Sequence, residues 1–122
     1  MAVRAIRGAT CVSADNAVEI RAAVGELLTA MLTENDVTAD DLISILFTAT
    51  PDIVSTFPAT AARQMGLTNV PLMCAQELAV ADAMPRVVRV MMHTETPRSR
   101  REIRHPYLRG TDRLRADPED DG

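Results

Sequence analysis

Lysine and tryptophan are absent from this chain of 122 residues, tyrosine occurs once and phenylalanine twice. With aromatics at 2% and hydrophobic residues at 47%, the core has to be built from Ala, Val, Leu, Ile and Met. One domain of this length buries roughly two-thirds of its unfolded surface. So few bulky anchors make association between copies a useful supplement. Long apolar runs are missing too, since none approaches the ~20 residues of a membrane span. The N-terminus lacks the basic, apolar and small-residue order of a secretory signal. These absences point to a cytoplasmic protein without membrane contact.

Cysteine is scarce: Cys11 and Cys74 are the only two, and neither sits in a metal-ligand spacing. With His93 and His105 they make no credible zinc set, so metal catalysis is not expected. In a reducing compartment both thiols are expected unpaired. A GxSxG elbow, a phosphate-cradling glycine loop and HExxH are all missing. Cys74 has no histidine evidently beside it and reads first as a small core residue.

All 13 basic residues are arginine. Four of the 17 acidic residues fall in residues 116–122, and the remaining 13 balance the arginines. The body is therefore neutral, and the formal charge of −4 belongs to the tail. Neutrality argues against a nucleic-acid binder, which needs a broad basic face. The arginine-rich run Pro97 to Arg104 has no aromatic for stacking on bases and reads as a solvated loop. The expected organisation is one domain over residues 1–115 followed by an acidic, disordered tail over 116–122.

Residues 2–7 favour a strand. Asn16-x-x-Glu19 has the form of a capping box, and Ala17, Ile20, Val24, Leu27, Leu28 and Met31 follow at helical spacing, which predicts a helix over 16–33 ended by Asn35 in the left-handed conformation. Thr38-x-x-Asp41 reads as a second, shorter cap. Leu42 to Thr48 is apolar on both faces, as an internal strand is. Pro58 suits the first turn of a helix that runs to Met65 and stops at Gly66. Val70 to Cys74 reads as a short strand, Ala79 to Met84 as a helical turn, and Arg86 to Thr94 as a strong strand with Val88, Val90 and Met92 on one face. Residues 95–106 read as a loop with a possible turn of helix, and Tyr107-Leu108 as a short extended piece. The predicted class is a single mixed α/β (α+β) domain.

Four charges interrupt the apolar pattern: Arg7 at the end of a strand, Arg89 in mid-strand, Glu77 after a strand, and Arg63 on the short helix, on the same face as Thr60. A charge inside an apolar strand is costly unless paired. From periodicity three readings stay open for Arg89: a buried pair with Glu77, an exposed sheet face, or a ligand site.

Five blocks in order decide how these charges are read. They are Val3-Arg4-Ala5-Ile6-Arg7-Gly8-Ala9-Thr10; Thr48-Ala49-Thr50-Pro51-Asp52 leading to Phe57-Pro58-Ala59; Val70 to Glu77 (VPLMCAQE); Arg89-Val90-Met91-Met92; and Ile103 to Leu108 (IRHPYL). At this spacing the chain resembles the AroH-class chorismate mutases over nearly everything but the acidic tail. The resemblance implies a homotrimeric pseudo-α/β-barrel, related to the YjgF/chorismate mutase-like fold, with helices outside and active sites in clefts between subunits. It implies an isomerase of aromatic amino acid biosynthesis that turns chorismate into prephenate by an intramolecular [3,3] rearrangement, with no cofactor, metal or covalent intermediate.

The same resemblance implies residue roles. Arg89 would donate to the ether oxygen and one carboxylate of chorismate, and Arg7 would hold carboxylate and select the compact substrate. Glu77 would accept from the ring hydroxyl, with Cys74 near it as a contact, and Tyr107 would donate to a carboxylate. Phe57 and Leu114 would supply apolar walls, with Ala59 and Met73 packed nearby, and Arg63 and Arg115 would sit on the rim. Thr60 stands where relatives can carry a basic residue at the pocket mouth. Two other readings compete: a YjgF/RidA-like enamine/imine deaminase, and a non-catalytic binder of a small dicarboxylate.

Overall fold

The computed structural model describes residues 1–116. Along the chain come β1 (Ala2–Cys11), α1 (Ala17–Glu34), β2 (Leu42–Ala49), α2 (Ala59–Gln64), β3 (Leu72–Gln76), β4 (Val87–Thr96) and α3 (Arg113–Ala116). The expected tail loses Ala116 to the end of α3, and its residues 117–122 lie outside the described residues.

The strands form one mixed sheet in the order β1–β4–β2–β3. β4 runs antiparallel to both β1 and β2, while β3 runs parallel to β2. Parallel neighbours need a crossover, and α2 lies in it. Alternation then gives the sheet two unlike faces. On one, Ile6, Ile45, Phe47, Val88, Val90 and Met92 join a buried core with Ile20, Val24, Leu27, Leu28 and Met31 of α1 and Ala61 and Ala62 of α2. The opposite face carries Arg7, Met91, Leu46 and Met73 in one cross-strand row, and Ala9, Arg89, Thr48 and Ala75 in the next. Leu46 stays 37% exposed and Met73 66%. Among the described residues this second face is largely uncovered, except at Ala9, which is fully buried.

Helix α1 starts as its sequence dictates, with Asn16 Oδ1 accepting the Glu19 N–H at 3.1 Å. The return half of the expected box is replaced. Glu19 instead accepts the Ser13 N–H at 2.7 Å and the Ser13 hydroxyl at 2.8 Å, tying the incoming loop to the first turn. At the other end the left-handed residue is Asp36 (φ 57°), whereas Asn35 has φ −107°. Asn35 is fully buried, and it spends its amide on tertiary bonds. Its Nδ2 donates to Met31 O and Arg104 O, and its Oδ1 accepts from Arg104 N–H at 2.8 Å and Arg98 Nη1 at 3.3 Å. The second predicted cap is present: Asp41 Oδ2 accepts the Thr38 N–H at 3.0 Å.

Other expectations shift at their edges. β1 runs four residues past its predicted end and β4 two, because each pairs with the other along its whole length. β3 begins at Leu72 and ends at Gln76. Residues 79–84 form no helix; they make turns in which Asp82 has φ 65°. The predicted turn of helix after β4 is a short 3-10 turn at Arg100–Glu102. Gly66 (φ 86°) ends α2 as its position implied.

Candidate active site

Among the described residues the outer edge of β1 has no strand neighbour in the sheet, which would leave a row of main-chain groups unpaired. Residues 105–111 cover it. His105 Nδ1 accepts the Arg7 N–H at 2.9 Å, Pro106 O accepts the Ala9 N–H at 3.1 Å, and the Leu108 N–H donates to Ala9 O at 2.8 Å. The buried Thr111 hydroxyl adds a bond to Ala9 O at 3.2 Å. Tyr107 bridges Ala9 within this strap, which is the short extended piece expected at 107–108. The strap brings Tyr107 to a cavity of about 230 Å³ lined by Arg7, Leu46, Thr48, Arg89, Met91 and Tyr107. Over the Tyr107 ring, at 5.5 Å from its centroid, lies the guanidinium of Arg115, whose Nη1 donates to His105 O.

The exposed-face reading of Arg89 holds, and the pair with Glu77 forms there without being buried. Arg89 lies on the open sheet face with its side chain 44% exposed, and its Nε is 3.3 Å from Glu77 Oε2. An exposed pair is worth only about 0–1 kcal/mol, so its effect is to orient two groups more than to stabilise the fold. Thr48 Oγ1 donates to the same Glu77 oxygen at 2.6 Å, and the Glu77 N–H donates to Ala49 O at 2.9 Å, just beyond β3. Sequence reading missed Thr48 as a site residue. Its signal is the register that places it between Arg89 and Ala75, and register is invisible before the strands are paired.

The remaining candidates lie elsewhere. Cys74 stands in register with Phe47 and Val90, on the helix side of the sheet, and lines a second cavity of about 480 Å³ with Thr50, Ile53, Phe57, Pro58 and Gln76. Phe57 is 69% exposed there. Ala59 is buried in the core, Thr60 is half-buried and Arg63 is exposed on α2. Met73 lies on the open face in the row of Arg7. Leu114 is half-buried and Arg115 exposed on α3. A single chain thus gathers Arg7, Arg89, Glu77 and Tyr107, and separates them from Phe57, Arg63 and Cys74.

Loop positions are set by carboxylates that the sequence reading left aside. Asp15 accepts the Val54 and Ser55 N–H groups at 3.2 and 3.1 Å, pinning the segment that presents Phe57. Its carboxyl is held below the ordinary value by the Ser55 hydroxyl, against partial desolvation and with help from the main-chain bonds. Asp52 accepts the Arg86 N–H at 3.0 Å and the Thr50 hydroxyl at 2.5 Å. That holds Arg86 in its left-handed conformation (φ 51°) before β4. The Thr50-Pro51-Asp52 block is therefore a turn organiser. Among the described residues no three His, Cys, Asp or Glu side chains are grouped to hold a metal ion, and no helix is long and apolar enough to cross a membrane.

Comparison with known proteins resolves what this arrangement belongs to. The family model for chorismate mutase type I matches residues 3–118. The chain belongs to that family. A chorismate mutase AroH of Thermus thermophilus is 46% identical over 120 residues, covering 96% of this chain and 97% of the relative. One from Bacillus subtilis (strain 168) is 39% identical over 118 residues, covering 96% and 93%. The solved structure of a chorismate mutase from Clostridium thermocellum superposes with a TM-score of 0.89 at 46% identity, over 91% of this chain and 99% of that one. The mixed α+β domain is thus that of the chorismate mutases, and neither the deaminase reading nor the non-catalytic one gains support.

Proposed function

We propose that this chain converts chorismate to prephenate, with Arg89, Arg7, Glu77 and Tyr107 forming one wall of the site and a second copy supplying the other. Family membership makes it an isomerase. The observation that supports the residue roles is the convergence of Arg7, Arg89 and Tyr107 on one cavity, with Glu77 paired to Arg89.

Chorismate carries two carboxylates and an ether oxygen that gains negative charge as its C–O bond breaks. The reaction is a concerted shift of electrons within one molecule, so the protein has no bond to make. What accelerates it is a held conformation and fixed donors where charge develops. Guanidinium groups suit both tasks, because they stay charged at working pH and present a rigid fork of donors. Arg89 donates to the ether oxygen and a carboxylate, Arg7 and Tyr107 hold carboxylate, and Glu77 accepts from the ring hydroxyl. Glu77, itself held by the Thr48 hydroxyl, orients Arg89, so little reorganisation remains for the reacting moment. At an effective dielectric near 20, a charge ~4 Å from a full charge gains about 4 kcal/mol; a partial charge gains proportionately less.

The cavity of one chain is smaller than the roughly 300–1,000 Å³ of ordinary ligand pockets. An open, partly apolar sheet face that already carries Met73 beside Leu46, and a split set of site residues, fit a homotrimer in which the neighbour brings Phe57, Thr60, Arg63 and Cys74 to the Arg89 wall, with Ala59 supporting Phe57 from the core. Leu114 and Arg115 close the rim from α3. The setting is cytoplasmic, within aromatic amino acid biosynthesis. The direct test follows chorismate loss by ultraviolet absorbance with prephenate identified as the product. Turnover without added metal or cofactor is expected; ammonia release from an imine substrate in place of chorismate turnover would overturn the reading.

A further inference from the structure

We propose that His105 is a positioning residue for this site, acting through the main chain of Arg7; the proposal rests on reading Arg7 and Tyr107 as substrate-holding groups. The Arg7 N–H points out of the unpaired edge of β1 and is accepted by His105 Nδ1 at 2.9 Å. Here an imidazole takes the place of a neighbouring strand's carbonyl. Pro106 and Leu108 then close on Ala9. The strap is fastened to β1 on both sides of Tyr107, and the histidine makes the fastening nearest Arg7.

The other end of this linkage is fixed as well. The fully buried Asn35 grips both main-chain groups of Arg104, the residue just before His105, with Arg104 N–H to Oδ1 at 2.8 Å and Nδ2 to Arg104 O at 2.9 Å. Asn35 is itself held to α1 through Met31 O at 3.0 Å. A continuous series of short bonds runs from the end of α1 through Asn35, Arg104 and His105 to Arg7. Gly8 permits the close approach, because a Cβ there would lie 3.0 Å from Pro106 O.

A side-chain acceptor sets a distance that sliding of the strap cannot preserve. If the strap slipped along β1, Tyr107 would move relative to Arg7, and two donors to one substrate would lose their relative placement. Acceptance at Nδ1 requires the ring proton to sit on Nε2, so the contact also selects one tautomer of His105.

The test compares His105→Ala with His105→Asn, whose side-chain oxygen reaches about where Nδ1 stands. Readouts are kcat and KM for chorismate, the thermal midpoint, and the Arg7 amide proton shift in isotope-labelled protein. Misplacement of a binding group by a fraction of an ångström predicts a loss of roughly tenfold in kcat/KM for His105→Ala, recovered to within about threefold by His105→Asn. The Arg7 amide should move upfield in the alanine variant and return in the asparagine one. A folded alanine variant with unchanged kcat/KM, or an asparagine variant as impaired as alanine, would overturn the proposal. Absence of mutase activity in the unmodified protein would instead sink the reading beneath it, and the same assay separates the two.

Discussion

Arg89 and Arg63 are both arginines on regular elements, yet the chemistry asks different things of them. On the proposed reading Arg89, oriented by Glu77 at 3.3 Å, would face an oxygen whose charge grows during the reaction. Its contact strengthens in the transition state, so a neutral isostere such as citrulline at position 89 should lower kcat by about 10²–10³ with a smaller change in KM. Arg63 is exposed on α2, and in the rim role proposed for it the attraction for a dianion would act equally before and during reaction. Steady-state kinetics of Arg63→Ala should show KM rising by several-fold, on the order of a rim charge's worth, with kcat nearly kept. These two were legible in the sequence as charges out of pattern. Thr48 and His105 were not, because a threonine in a strand and a histidine in a loop break no rule of spacing. Their meaning comes from partners 29 and 98 residues away.

The elements succeed or fail on local contacts of the same kind. β1 presses on α1 and on the strap at Gly8, where an added Cβ would meet Leu27 Cδ1 and Met31 Sδ at 2.9 Å. Met31 and Leu27 can shift, but the Pro106 carbonyl at 3.0 Å belongs to the main chain. Gly8→Ala should therefore cost about 1–3 kcal/mol of overpacking, read as a lower thermal midpoint at fixed protein concentration. The start of α1 and the turn after β4 carry an acid sensitivity. Glu19 is held below its ordinary 4.5 by the Ser13 N–H and then the Ser13 hydroxyl, and Glu102 likewise by the Ser99 N–H and hydroxyl. In both, the unfolded chain binds the proton more readily. Their contribution is thus complete above the ordinary value and disappears as pH falls through the lowered one. Thermal midpoints should be insensitive to these groups above pH ~5 and decline below about 4.5, with a shallower decline in Glu19→Gln. The first helix, both long strands and the Gly66 stop were readable because periodicity and capping are local. The helical turn expected at 79–84 was wrong, since short apolar windows without a cap carry no such signal and the chain there turns at Asp82.

For the whole molecule, the decisive feature is a sheet with one face covered by helices and the other open, Met73 among the apolar groups left bare. If the site is completed by a neighbour, two defects in different walls should complement. Arg89→Ala and Arg63→Glu homo-oligomers, each impaired, should regain activity when refolded together, because some clefts then combine an intact wall from each; no recovery on mixing would place both residues in one chain's site. Composition and local pattern were enough to establish a small aromatic-poor α+β domain, its first helix and strands, and which charges stand out, because these follow from periods of two and 3.6 residues along the chain. Only the tertiary structure decided that Arg7, Arg89, Glu77 and Tyr107 converge while Cys74 and Phe57 do not. Strand order, register and the strap on β1 join residues that no local period relates.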